Sequence, residues 1–210
     1  MLDVHPPHEA AHTRKDFFIH IATIVVGLII AVGLEQTVEA IHQRHELQKA
    51  REELREEIQS DRRVNAKQLE FVHQAQAELN ADMALLIAHR TNDRPLAVPL
   101  HFDWEFRRSP SAAWDTNKQS GSLSLMPHPE LAYYGYICTV CALVMDSAGQ
   151  WQTSLEVAKA IANRAHDGAL STQDTNELIT AISDTQGKLA RTERLITFEQ
   201  GALDDHTFDH

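Results

Sequence analysis

The 210-residue chain has 43% hydrophobic and 23% charged residues, the composition of a folded protein and not of a disordered one. Its net charge of −11, from 30 acidic against 19 basic residues, argues against a nucleic-acid partner, because phosphate contacts need clustered Lys and Arg. Arg62 and Arg63 stand among Asp and Glu, and only eight Gly and seven Pro are present, which favours long helices.

Residues 1–16 form a short leader holding His5, His8 and His12 and ending in Arg14, Lys15 and Asp16. From Phe17 to Leu34 there follow 18 residues without formal charge, of which His20 and Thr23 are the main polar ones. As a helix this stretch is roughly 27 Å long, close to the roughly 30 Å of a bilayer core. Glu35 falls where such a helix would leave the lipid, so 17–34 is expected to be a transmembrane helix. A cleaved signal peptide, with Ala31-Val32-Gly33 as the cut site, is the first alternative. It is disfavoured because the apolar run exceeds a signal core and helical periodicity continues through Glu35, Glu39 and His42. The second is a buried helix of a soluble domain, which rarely stays apolar on every face for five turns. Arg14 and Lys15 abut the run on its N-terminal side, whereas Glu35 and Glu39 precede Arg44 on the other. The positive-inside tendency therefore puts the N-terminus in the cytoplasm and the rest outside. Thr23, Gly27, Ala31 and Glu35 are spaced by four, a helix-packing face through which two spans could approach closely.

The order "KDFFIHIATIVVGLIIAVGLE" then "HQRHELQKAREELREEI" resembles a group of uncharacterised bacterial single-pass membrane proteins. Their shared pattern is an N-terminal membrane helix with Gly-Leu-x-Ile-Ala-x-x-Leu-Glu followed by a charged helical continuation. The segment "SAAWDTNKQSGSLSLMPHPELAYY" is similar to a Trp-, Gly- and Met-Pro-containing region of the same group. The resemblance implies architecture and carries no catalytic residue.

Residues 35–90 read as a long charged helix, or two in line. Leu47, Leu54, Ile58, Leu69, Val72, Leu79, Met83 and Leu86 recur at threes, fours and their sums. The stripe weakens between Asp61 and Asn65, where a kink or break is expected. Residues 91–128 form a connector: "TNDRPLAVP" ends the helix, and Ser109-Pro110 is a cap and first position for a short helix carrying Trp114 and stopping at Gly121. Trp114, Gly121 and Met126 are candidates either for a groove between helices or for a plug with its turns. Residues 129–210 form a helical hairpin. Its first arm, opened by Pro127 and Pro129, carries Leu131, Tyr134, Cys138, Cys141, Met145, Ala148, Leu155 and Ala162, with Gly168 beyond its end. Its second arm starts near Ser171 and carries Leu178, Ile182, Leu189, Ile196 and Leu203, with three successive steps of seven as in a coiled coil. No segment alternates as a strand would, so the fold is expected to be all-α, a transmembrane helix plus an antiparallel bundle of three long helices and a short one.

Chemistry is sparse. Cys138-x-x-Cys141 lacks the following His of a haem site and a second Cys pair for zinc, and in mid-helix on an apolar stripe it reads as two buried packing thiols. Their redox state is open. His42 with His45, and His206 with His210 near Asp205 and Asp209, have helical spacing for a shared metal or a pH response but read as solvated surface. Adjacent acids such as Glu56-Glu57 point in different directions, and no phosphate loop, HExxH or nucleophile elbow is present. No catalytic, cofactor or metal residue is expected. The expected role is an accessory subunit or scaffold in a bacterial inner membrane, with a periplasmic bundle. Its partners would be the lipid bilayer and a second copy or another membrane protein. The alternative is an extracytoplasmic ligand- or pH-sensing domain that signals through a partner.

Overall fold

A computed structural model of the chain describes residues 14–92, 100–106, 112–164 and 170–204. Four helices account for nearly all of them: α1 (Arg14–Asn92), α2 (Ala112–Ser120), α3 (His128–Ala162) and α4 (Thr172–Leu203), with a 3-10 turn at Ser122–Leu125. The all-α fold is as expected. The leader histidines, Ser109-Pro110, Gly168 and the terminal pair His206 and His210 lie outside the described residues.

The chain divides into two units, Met1–Gln48 and Lys49–His210. In the first, the described residues belong wholly to α1. None of them is buried, and Leu47 alone is half-buried.

In the second unit the interior follows a seven-residue rhythm. Along α4 the buried positions are Thr175, Leu178, Ile182, Thr185, Leu189, Thr192, Ile196, Glu199 and Leu203, strictly alternating steps of three and four. The five aliphatic residues are those expected from the sequence; the interleaved Thr and Glu are not. On α1 the same alternation runs through Asn65, Gln68, Val72, Ala75, Leu79, Asp82 and Leu86. Upstream, Ala50, Leu54 and Ile58 are spaced by four, a local departure from the heptad that relaxes supercoiling. The break expected between Asp61 and Asn65 does not occur, and α1 is one uninterrupted helix. The stripe there does not weaken; it continues in polar residues.

Cross-helix bonds set the directions. Ser147 with Thr192, and Ser154 with Asp184, make α3 and α4 antiparallel. Between α1 and α4, His73 meets Glu193, Asn80 meets Gln186 and Arg90 meets Asn176, also antiparallel. The Arg62 guanidinium donates to the Leu203 carbonyl, covering an acceptor that the last turn of α4 leaves open. It follows that α1 and α3 are parallel, and the connector must return the chain along the bundle. It does so beside α1: the His101 N–H donates to Asp82 (2.8 Å), the Trp104 indole to Glu78 (3.0 Å) and the Asn117 amide to Glu53 (2.8 Å). Connector numbers rise as their α1 partners fall. The second antiparallel element is thus a partly non-helical segment, a refinement of the expected bundle of three long helices.

The core is completed by three rings, Phe71, Phe106 and Trp151, with centroids 6.3–6.5 Å apart. Near the start of α3, the Arg51 Nε and Nη2 donate to the two oxygens of Glu130, both at 2.7 Å. That hydrogen bonding raises the Arg51 pKa, and the Glu130 side chain is 8% exposed. Arg51→Ala strands a buried carboxylate and is expected to cost about 3 kcal/mol. Replacing both residues by Met should restore most of that, as read by denaturant melts of the full chain in detergent.

α4 starts beside Ser171 as expected, and Ser171 caps it: its Oγ accepts from the Asp174 N–H at 3.0 Å. The Ser171 hydroxyl also donates to the Asp174 carboxylate and is the main reason that group's pKa is lowered; Arg164 adds to it. Ser171→Ala is expected to cost about 1 kcal/mol at neutral pH. A depressed carboxylate pKa contributes stability above its unfolded value, near 3.8, and loses it as pH falls through the folded one. The gap between Ser171→Ala and the parent should therefore narrow in melts run well below pH 3.8.

Candidate functional site

Two features of the chain are chemically unusual. The first is the start of α1. Fourteen of the twenty large hydrophobic side chains exposed among the described residues fall between Phe17 and Ile41. They lie all round the helix, not on a stripe, so no single packing partner would cover them. Among the described residues, two helices are long and apolar enough to cross a membrane. They differ in burial: 0% of the apolar window in α1 is buried, against 39% in α3, which is a core helix of the bundle. The one hydroxyl within 17–34 is satisfied internally, Thr23 Oγ1 donating to the Ile19 carbonyl at 2.9 Å. In lipid that bond removes the cost of an unmatched polar group. Beyond Glu35 the helix is supported by polar pairs four residues apart, Gln43 with Glu39 and His42 with Glu46. His42 belongs to that exposed pair, and His45 is exposed too.

Thr23, Gly27, Ala31 and Glu35 are all exposed, and a Cβ built on Gly27 would meet nothing within 4 Å. The face is open. The connector residues are brought together differently. Trp114 is half-buried and lies against Gly135 of α3, where an added Cβ would come within 3.3 Å of the indole. Gly121 adopts φ +84°, a left-handed conformation that only glycine takes without strain, and turns α2 into the 3-10 turn. Met126 is buried. Trp114 thus packs on α3, Gly121 turns the chain and Met126 enters the interior.

The apolar stripe expected along α3 is rotated in the structure. Tyr134, Ile137, Cys141, Val144, Ala148, Trp151, Leu155 and Ala158 are buried, while Leu131, Cys138, Met145 and Ala162 are half-buried flanks. The two thiols are unequal: Cys141 is in the interior and Cys138, expected there as well, is on its edge. The difference of three residues on a helix of 3.6 per turn turns their side chains about 60° apart.

The second feature is a polar layer inside the bundle. Asp61 of α1, Cys141 of α3 and Glu199 of α4 bring one oxygen, one sulfur and one oxygen within 4.8 Å of one another. Cys141 and Glu199 are buried, and Asp61 is half-buried. Asn65 and Gln68 follow Asp61 on the inward stripe of α1, at 0% and 6% exposure. The side-chain N and O atoms of both have no hydrogen-bond partner within the protein. Sequence spacing gives no hint of this cluster, since its members are 80 and 58 residues apart in pairs along the chain. The available signal is an Asn at a heptad position that otherwise holds Val72, Leu79 and Leu86, and a Glu at one shared with Leu178, Thr185 and Thr192.

Elsewhere the charges pair at the surface. Lys188 and Ser154 hydrogen-bond the Asp184 carboxylate and lower its pKa, Lys188 being the larger cause. Asp103 raises the pKa of Lys159 through a 2.9 Å hydrogen bond. These contacts tie neighbouring elements together.

No family model matches the chain, and no curated protein or solved structure is significantly similar to it.

Proposed function

We propose that the chain is a single-pass membrane protein, anchored by residues 17–34, whose helical bundle acts as an accessory subunit or scaffold and has no catalytic role. The observation that carries this reading is the start of α1: a charge-free cylinder with apolar side chains exposed on every side. Water would not tolerate so much contiguous apolar surface, and a bilayer would. Arg14 and Lys15 before the span, and Glu35 and Glu39 after it, favour a cytoplasmic N-terminus and a periplasmic bundle in a bacterial inner membrane. The resemblance to uncharacterised bacterial membrane proteins, carried by the Gly-Leu-x-Ile-Ala-x-x-Leu-Glu pattern, is part of the same proposal. Interaction is the role because the open face Thr23, Gly27, Ala31 and Glu35 lets a second helix approach closely.

The test is purification of the full chain from its membranes in mild detergent, followed by native mass spectrometry. A homo-oligomer, or a complex of fixed stoichiometry with another membrane protein, is expected. A monomer carrying a small molecule would instead favour a sensing domain.

A further inference from the structure

The geometry points to a transition-metal site of the zinc class inside the bundle, with Asp61, Cys141 and Glu199 as ligands and the Asn65 carboxamide beside them. The inference does not depend on what surrounds residues 17–34.

Each of the three long helices supplies one donor, and the three donor atoms already lie within 4.8 Å of one another. Zinc bonds of about 2.0–2.3 Å to oxygen and sulfur place tetrahedral ligands roughly 3.3–3.8 Å apart. Closing the last ångström needs side-chain rotation, not helix movement. The donor set selects the metal: a cysteine sulfur prefers zinc, cobalt and iron over magnesium and calcium, which take oxygen alone. One thiolate and two carboxylates offer three negative charges, which a divalent cation would largely neutralise in the interior.

The second observation comes from the carboxamides. Asn65 sits one helical turn beyond Asp61 on the inward stripe, about 5–6 Å away at the Cβ level. It is fully buried, and neither its oxygen nor its nitrogen meets a partner within the protein. Gln68, the next position of the stripe, is in the same condition. Four buried amide atoms without partners are costly, about 1–3 kcal/mol for each group left unmatched. They make sense in a layer built to receive something polar. In the proposed site the Asn65 oxygen would take the fourth coordination position, directly or through a metal-bound water.

Histidine is itself a zinc ligand and the chain has 13 of them, so stoichiometry alone does not decide the matter. Cobalt(II) does, because a thiolate ligand adds a near-ultraviolet charge-transfer band that histidine and carboxylate ligands lack. The full chain, purified in detergent and stripped with chelator, would be titrated with cobalt and then with zinc. The expected result is one equivalent of cobalt with a thiolate band, displaced by one equivalent of zinc, and a raised unfolding midpoint in the loaded protein. Cys141→Ser should abolish the band and weaken binding at least tenfold, Glu199→Gln should weaken it similarly, and Cys138→Ser should leave both unchanged. The wild-type titration is decisive by itself if a variant fails to fold. Absence of a thiolate band in the cobalt-loaded wild type, or a band lost in Cys138→Ser and kept in Cys141→Ser, would overturn the assignment.

Discussion

Arginine at both Val26 and Ile29 is expected to release the full chain from membranes. On insertion scales each aliphatic-to-arginine change near the centre of a span costs about 3 kcal/mol, so the pair costs about 6 kcal/mol. That shifts the insertion equilibrium by a factor on the order of 10⁴. Both positions are exposed, so the substitutions break no contact within the protein and the bundle should keep its unfolding midpoint. Leu143 and Val157 supply the control. They are also exposed large apolar residues, but on α3. Arginine at both should leave membrane partition unchanged if α1 alone meets lipid, and should release the chain if α3 is the helix that crosses.

Trp151→Ala is expected to have the largest effect on the bundle itself. The indole is fully buried and packed between Phe71 and Phe106, the latter edge-on at 87°. Truncation removes the contacts of the largest fully buried side chain and leaves a cavity that three helices cannot close, at about 3–5 kcal/mol. Trp151→Phe makes a sharper comparison. The Trp151 Nε1 is buried and has no hydrogen-bond partner, so Phe removes an unmatched donor while keeping most of the apolar volume. A loss of about 1.5 kcal/mol or less is expected, measured by denaturant unfolding of the full chain in detergent. A Phe variant as unstable as the Ala variant would mean that the indole nitrogen has a role that packing does not describe.

The legible parts of the fold were those written in aliphatic residues. Leu178, Ile182, Leu189, Ile196 and Leu203 announce the inward face of α4, and all five are buried without exposure. Ser171 announces its start because a short side-chain oxygen before a helix has one obvious partner. Three things were not legible, each for a physical reason. Thr185, Thr192, Glu199, Asn65 and Asp82 occupy interior positions but carry polar groups, which a hydrophobicity pattern assigns to solvent. Some take partners from elsewhere in the bundle, as Thr192 does from Ser147 at 2.8 Å and Asp82 from His101 of the connector, Thr185 bonds the Ala181 carbonyl of its own helix, and Asn65 meets no partner within the protein. The stripe of α3 was rotated because this helix faces two neighbours, and its broad apolar surface leaves the centre undetermined by periodicity alone. Parallel α1 and α3 could not be read from either helix, since that relation is created by the connector descending past Asp82, Glu78 and Glu53. The polar layer combines all three difficulties. It is assembled from three helices, from residues that look like surface, and from a cysteine that sequence reading treats as packing.

The central claim is that lipid surrounds residues 17–34 of an uncut chain. Alkaline carbonate washing of membranes, followed by mass measurement of what stays in the pellet, tests it directly. The intact 23.6 kDa chain is expected in the pellet, its N-terminal segment attached. Intact chain in the supernatant, or a shortened product beginning near Gly33, would contradict it.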